Sequence, residues 1–587
     1  MSPDGQVRVP EAEEARTPLY PLPPDNAPVL RVVMVMPARV PAWVNQLLSL
    51  CRTGADVELL GVVAEGIPLP ARTGVPADLR ALFRYERSRR AGHGWQFQSE
   101  EADCGDGVET ASDLLHLHRL LEEAAPDLIL LLGSADLAGT LAGTSRLGCW
   151  WLGPELLDED AAAMALCRPI LRGVLTTQIE LELELELELE LASELAPSED
   201  RSLAKSRTAT SRTSVTGQCE HAFRKMPALL LRALRRHAQG RGEPLRQRTA
   251  RLGLRREPPL PGIGAVAFTR TMVERARLRW LRLWQTQEDQ WFVVLREGKA
   301  LLRPERPDMP EAKVLRHAAG PGGPIWADPC AVVEGGRRLV FVEEWTPDAP
   351  QGHLACLEVP IAGPARKLGI VLKKDHHLSF PLVFPWKAEW FMTAESGQAR
   401  CVTLYRATDF PLHWEPVAEL LSGWLCVDPV LHFHDDGRWY LFVTVAEANG
   451  NTWDDLFLFV SDSLLGPFMP HPANPIVSDA RSGRSAGKLF RHEGRLIRPA
   501  QDCAPSYGAA IVFNEIAELS PDRYRECPLG QLDASWSRGL DGCHTYSASG
   551  PFEVIDIRGE APDHLPSMVV ESSAVIEPST RMVSQPG

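Results

Sequence analysis

The sequence predicts a multidomain chain, an N-terminal α/β Rossmann-like domain followed by a C-terminal all-β five-bladed β-propeller. Three observations predict it. Short apolar runs alternate with amphipathic helical segments before residue 175, the pattern of a parallel sheet covered by helices. After Gly262 a strand–turn–strand pattern recurs at roughly fifty-residue spacing, a propeller rhythm. Composition shifts at the same place, since twelve of the sixteen tryptophans lie beyond it. At 587 residues the chain is too long for one core.

Residues 1–28 are polar, acidic and proline-rich and read as a disordered leader, with neither the basic start nor the apolar core of a secretory signal. The α/β domain is expected over 29–175. LRVVMVMP from Leu30 reads as a buried strand, PAWVNQLLSLCRTG as a glycine-terminated helix, and VELLGVVAEG as a second strand. ASDLLHLHRLLEEAAPD is an amphipathic helix leading into the strand LILLLGS. No GxGxxG follows the first strand, so dinucleotide binding is unsupported. Residues 176–262 read as a linker with three parts. They are the Leu-Glu tract at 179–191, expected as a low-complexity insertion, a flexible Ser/Thr-rich loop, and a basic helical stretch whose leucines pack on a neighbouring domain. The propeller is expected over 263–557 and a disordered tail over 558–587.

Four segments superpose within the propeller: ADPCAVVEGGRRLVFVEE, LSFPLVFPWKAEWFMTAES, VDPVLHFHDDGRWYLFVTV and RSAGKLFRHEGRLIRPAQD, with 280–298 fitting more loosely as a further, first blade. Each reads as a β-hairpin. Asp328 precedes Glu344 by sixteen residues, and Ser379–Glu395, Asp428–Thr444 and Ser485–Gln501 repeat that interval. A hairpin returns to the end where it began, so these positions are expected around one mouth of a central channel. An aspartate before proline is ordinarily only a turn cap. The shared interval is what argues for function. Clustered carboxylates push their pKa values apart, which supplies the acid and base of glycoside hydrolysis. The expected catalytic set is Asp328 as general base, Glu395 as general acid and Asp428 as the charge that holds the acid protonated. Glu344, His377, Ser379, Arg484, Ser485, Gln501, Asp502 and His544 are expected to bind substrate. No cofactor is predicted, although a divalent cation at the mouth would accept the same oxygens.

ADPC, HHLSFPLVF, LYRATDFPLHW, SDSLLGPFMPHPANPIV, GRSAGKLF and QDCAPSYG resemble the N-terminal domain of plant glucosamine inositolphosphorylceramide transferases and bacterial relatives over about 263–557. That domain is similar in turn to family-43 glycoside hydrolases, which implies a propeller and a carbohydrate-directed role. It also implies a strand-start catalytic aspartate at Asp328, with Asp428 and Glu395 as partners. The plant enzymes carry a glycosyltransferase domain after this region, and the sequence ends at Gly587 without one, so transfer of glucosamine does not carry over. LRVVMVMPARVPAWVNQLL, PDLILLLGSADL and RLGCWWLGPELL resemble the formyltransferase-like domain of the bacterial relatives. Formyltransferases show an Asn-x-His pair after the glycine matching Gly148, where this chain has Cys149-Trp150-Trp151, so a degenerate structural domain is expected.

A net charge of −15 opposes binding to nucleic acid. No apolar run approaches the roughly eighteen residues of a membrane span. The twelve cysteines show no CxxC pair, which fits a cytoplasmic protein. The leading expectation is a glycosidase or transglycosidase acting on a cell-envelope or exported glycan. The alternatives are a non-catalytic glycan-binding scaffold beside separate glycosyltransferases and, third, a sugar N-formyltransferase working through the first domain.

Overall fold

The computed structural model describes residues 16–21, 29–52, 57–64, 66, 77–88, 96–103, 109–185, 202–238, 248–254, 263–284, 290–298, 301–309, 311–318, 323–346, 351–447, 450–560 and 563–572. Among them an eight-stranded mixed sheet forms the first half. Leu30–Met36 pairs in parallel with Val57–Ala64 on one side and Leu128–Leu131 on the other, and Gly148–Leu152 extends the run. Parallel strands covered on both faces need apolar residues at every position, and Val32 through Met36 are all buried. Asp113 and Ser134 cap the helices Leu114–Ala124 and Ala135–Leu141 by accepting from His116 N and Leu137 N.

The expected linker over 176–262 is instead part of this sheet. Thr176–Leu185 pairs antiparallel with both Ser202–Ala209 and Arg248–Leu254, and the last of these joins Gly148–Leu152 in parallel. The Leu-Glu alternation thus starts as a real strand, with Ile179 and Leu181 fully buried in the main core. Residues 186–191 of the tract lie outside the described residues. Helices Val215–Arg224 and Met226–Ala238 bury Phe223, Met226, Leu229 and Leu234 in that core. Ile263–Trp284, expected inside the propeller, packs instead on Ala77–Ser88 and Arg168–Arg172 of the α/β half.

The remainder is β-rich. Three sheets follow one another in sequence, with first strands Ser379–Trp386, Cys426–Phe433 and Arg484–Ser485. A ten-stranded sheet completes the set. In it, Ser567–Ser572 lies parallel between Ala365–Leu372 and Lys313–His317 and joins two antiparallel groups. One group runs from Ile325–Glu334 to Ala365–Leu372, and the other pairs Gln290–Glu297 with Phe552–Gly559. The described strand of the loosely fitting segment, Gln290–Glu297, therefore pairs antiparallel with both Lys313–His317 and Phe552–Gly559. Each first strand touches the next, and Tyr546–Ser549 closes the ring. Tyr546 N donates to Ala486 O (2.7 Å), and Ser547 Oγ accepts from Ala331 N (3.0 Å).

Two terminal expectations change. Within the leader, Thr17 N bonds to Ser422 O and Leu19 is buried among the aromatic residues of the sheet that begins at Cys426. Within the tail, Ser567–Ser572 is the joining strand. The rest of both termini lies outside the described residues.

Candidate functional site

Three first strands share one distortion. Asp328, Phe380 and Asp428 each precede a proline, each sits at a break in strand register, and each has positive φ (50°, 47° and 48°). That conformation is costly for a non-glycine residue before proline. It turns each backbone N–H inward, where a carboxylate takes it. Asp328 N donates to Asp556 Oδ2 (2.9 Å), Phe380 N to Asp328 Oδ2 (3.2 Å) and Asp428 N to Glu395 Oε2 (3.3 Å). Each acid thereby fixes the strained backbone of a neighbouring first strand, and the strain is held by hydrogen bonds to carboxyl oxygens.

The acids differ in environment. Asp428 is held by Arg484 through Nε (2.6 Å) and Nη2 (3.3 Å), and it accepts from Gln501 Nε2 (2.8 Å). Arg484 reaches Glu395 Oε2 at 3.4 Å and lies over the Tyr507 ring at 5.0 Å. Burial, and then the charge of Asp428, push the Glu395 carboxyl well above the usual carboxylate range against the opposing pull of Arg484. Asp328 accepts from Thr545 Oγ1 (2.7 Å) and faces His544 Nε2 at 3.8 Å. Burial lifts its pKa to about 7. His544 opposes the rise, and Glu343, Asp556 and Asp428 add to it. Burial disfavours a charged His544, but Asp556, bonded to its Nδ1 at 2.6 Å, and Asp328 outweigh that and raise its pKa. Trp291 stacks on His544 (3.9 Å between centroids), and Tyr507 meets it edge-on.

The structure brings together Asp328, Glu395, Asp428, Arg484, Gln501 and His544. Ser379 is buried opposite Glu395 in the register, and Ser485 is buried with its Oγ unpartnered among the described residues. His377 is one step removed. Its Nε2 faces Glu343 at 3.2 Å, its Nδ1 accepts from Gly352 N (3.0 Å), and the Glu343 contact raises its pKa against burial.

Glu344 and Asp502 do not join the cluster. The bulge at Asp328 pairs Ala327 with Glu343 and Trp326 with Glu344, so the counterpart of Glu395 is Glu343. Neighbouring strand residues face opposite sides, and Glu344 points away, bonded to Trp326 Nε1, His353 and Lys367. Asp502, next to the inward Gln501, instead takes Ala504 N and Gln531 Nε2. Sequence reasoning missed Asp556, Thr545, Glu343, Tyr507 and Trp291. Asp556 had a signal, because an acid inside the apolar run FEVIDI must be buried and therefore partnered. A cavity of about 370 Å³ lined by Arg438, Asp462, Met469 and Pro521 lies at the turn-bearing end and touches none of these acids.

Asp328, His544 and Asp556 present ligand atoms within 4.8 Å of one another. They do not suit a cation. Asp556 Oδ1 already accepts from His544 N (3.0 Å) and Thr545 N (2.8 Å), and its Oδ2 accepts from Asp328 N and His544 Nδ1. All of its lone-pair directions are spoken for.

Residues 314–540 match the family described as glucosamine inositolphosphorylceramide transferase 1, N-terminal. The chain is 34% identical over 207 residues to glucosamine inositolphosphorylceramide transferase 1 of Oryza sativa subsp. japonica, covering 35% of this chain and 28% of that protein. The same-named protein of Arabidopsis thaliana is 34% identical over 203 residues, covering 34% and 26%. This chain thus spans about a quarter of the length of the curated relatives it matches. Among solved structures it is similar to a family 117 glycoside hydrolase of Zobellia galactanivorans (TM-score 0.31, 13% identity, 47% of this chain and 92% of that one). It is also similar to a GH43_1 enzyme of Xanthomonas citri (TM-score 0.29, 13% identity, 42% and 91%).

Proposed function

We propose that the β-rich half is a five-bladed propeller whose acid cluster hydrolyses or transfers a glycoside of a cell-envelope or exported glycan. The observation that carries the reading is that two buried acids with different partners meet at one place. Burial and the neighbouring Asp428 raise the Glu395 carboxyl well above the usual range, the direction a general acid needs, while Asp328, bonded to Thr545 and facing His544, is lifted to about 7, where a general base works. In this mechanism Glu395 protonates the departing glycosidic oxygen while Asp328 takes a proton from the attacking water. Asp428, fixed by Arg484, lies beside Glu395 and raises the pKa of its carboxyl, which favours the loaded acid. Thr545 and His544 orient Asp328. Trp291, stacked on His544, and Tyr507, under Arg484, hold those two side chains in place.

The test is Asp328→Asn and Glu395→Gln against a panel of aryl glycosides and envelope oligosaccharides. The reading expects each variant to lose about 10²-fold or more of wild-type turnover. Full turnover in both variants removes it. The grip of Arg484 on both Asp428 and Glu395 favours a second reading, a glycan-binding propeller working beside separate glycosyltransferases. Calorimetry showing sugar binding without turnover by the wild type would select that one.

The α/β half is proposed to be a degenerate formyltransferase-like domain of Rossmann-like form. Cys149 and Trp151 stand where the Asn-x-His pair is missing; Cys149 is fully buried and an indole has no basic nitrogen, so neither offers a base to a formyl donor. Failure to bind a folate-type formyl donor is the expected result. A reducing, cytoplasmic setting is proposed for the chain.

A further inference from the structure

Two lysine and arginine side chains of the α/β half are buried, and their partners belong to the β-rich half. Lys225 is 2% exposed, and its Nζ bonds to Asp454 (2.9 Å), Asp455 (3.4 Å) and Ser206 Oγ. Arg232 bonds to Glu447 (2.7 Å) and Asp455 (3.3 Å), while Tyr20 OH donates to Glu447 (2.7 Å). Glu447, Asp454 and Asp455 flank the connection that leaves the sheet beginning at Cys426 after Val445, which is the acid-bearing end of that hairpin.

From these acids a continuous set of contacts reaches the candidate site. Asp454 accepts from Asn451 Nδ2 (2.8 Å), and Asn451 Oδ1 accepts from Trp453 N (2.8 Å). Trp453 stacks on Tyr507 (6.4 Å, 30°), Tyr507 lies under Arg484, and Arg484 holds Asp428 and Glu395. A second route runs through the backbone. Asp454 O accepts from Asp479 N (2.9 Å), and Asp479 O accepts from Gly483 N (2.6 Å). Gly483 O accepts from Thr444 Oγ1 (2.9 Å), and Arg484 is the next residue. Gly483 packs so closely on Asp454 O that an added Cβ would lie 2.0 Å from it, so the two loops cannot slide independently. Strand Ser202–Ala209 clamps the same place. Arg207 Nη1 bonds to Asp479 (2.7 Å), and Arg207 O accepts from Ala480 N (2.8 Å).

We propose that Lys225, with Arg232 and Arg207, is a positioning residue for the acid cluster. The α/β half then acts as the outer wall of the propeller site, setting the loops that carry Trp453 and lead into Arg484. This assigns a role to a domain whose own chemistry is absent. It rests on the acid cluster being the functional site and does not require that site to be hydrolytic. A buried ammonium between two carboxylates fixes their geometry tightly, because any displacement leaves a desolvated charge unpaired.

The experiment is hydrogen–deuterium exchange on full-length wild type, Lys225→Met and Lys225→Arg. In Lys225→Met, peptides covering 450–455, 479–487 and 503–508 are expected to exchange about tenfold faster, with 353–372 unchanged. Lys225→Arg restores protection by restoring the charge. Unchanged exchange in the three peptides, or equal acceleration over 353–372, overturns the proposal. On any aryl glycoside that the wild type turns over, kcat/KM is expected to fall about tenfold in Lys225→Met and to return in Lys225→Arg. An undiminished kcat/KM in Lys225→Met also overturns it. Absence of wild-type turnover counts against the glycosidase reading alone, since the exchange readout needs no substrate.

Discussion

Arg484→Met is the sharpest perturbation of the site. It keeps the aliphatic stem over Tyr507 and removes the cation that, among the described residues, touches both Asp428 and Glu395. Asp428 is 1% exposed, so the variant leaves a buried carboxylate with Gln501 as its remaining side-chain donor. Breaking a buried pair from one side costs about 3–5 kcal/mol. At about 2–4 °C per kcal/mol for a large domain, the unfolding midpoint of the β-rich half falls by roughly 6–20 °C. Calorimetry on full-length protein at pH 7 reads this directly. The cause is an uncompensated charge, so Arg484→Met/Asp428→Asn recovers part of the loss, and urea denaturation of the four-member cycle gives a coupling of about 2 kcal/mol. Additive losses, or a midpoint shift below about 2 °C, would show that Arg484 merely fills space.

The Asp328 carboxyl, raised from 3.8 to about 7, contributes stability that is fully present below about pH 4 and is lost as pH rises through 7. Across that window Asp328 contributes up to about 1.4 kcal/mol per pH unit to the slope of stability against pH, and Asp328→Asn is expected to remove that share. The lowered pKa of Glu344, about 2, has the opposite sign, with burial outweighed by the bonds to His353, Lys367 and Trp326. Glu344→Gln is expected to cost about 2 kcal/mol at pH 7 in urea denaturation, a cost that fades as pH falls toward 2, and to leave turnover unchanged. Calcium, zinc or EDTA is expected to leave the melting midpoint unmoved, and a cation-dependent rise of several degrees would refute the hydrogen-bonded assignment of Asp556.

Hairpins with alternating apolar residues and glycine or charged turns were legible in the text, and so were the strand-start acids, because both follow from a period of two. The constant sixteen-residue interval was a coarser guide. It found Ser379 opposite Glu395, but a bulge adds a residue to one strand. Aligning Asp328 with Ser379 was one residue out, because Ala327 faces Glu343 as Ser379 faces Glu395, and the bulged residue Phe380 is the true equivalent of Asp328 and Asp428. The proline after each of those three residues was the visible mark of the bulge. The α/β half was misdivided for a different reason. Low complexity argued for an insertion at the Leu-Glu tract, while tertiary pairing with Arg248–Leu254 decides its state. His544 was named without its anchor, since Asp556 lies twelve residues further on and meets it only across an antiparallel pair of strands.

The ring is sealed by residues that are far apart in the chain, Gln290–Glu297 with Phe552–Gly559, and Ser567–Ser572 between two earlier strands. During synthesis, therefore, Asp328 emerges more than two hundred residues before Asp556 and His544 arrive to support it. Until then its strained backbone has no acceptor. A nascent chain that ends just short of Phe552 would carry the three sheets that begin at Ser379, Cys426 and Arg484 and still lack a formed acid centre.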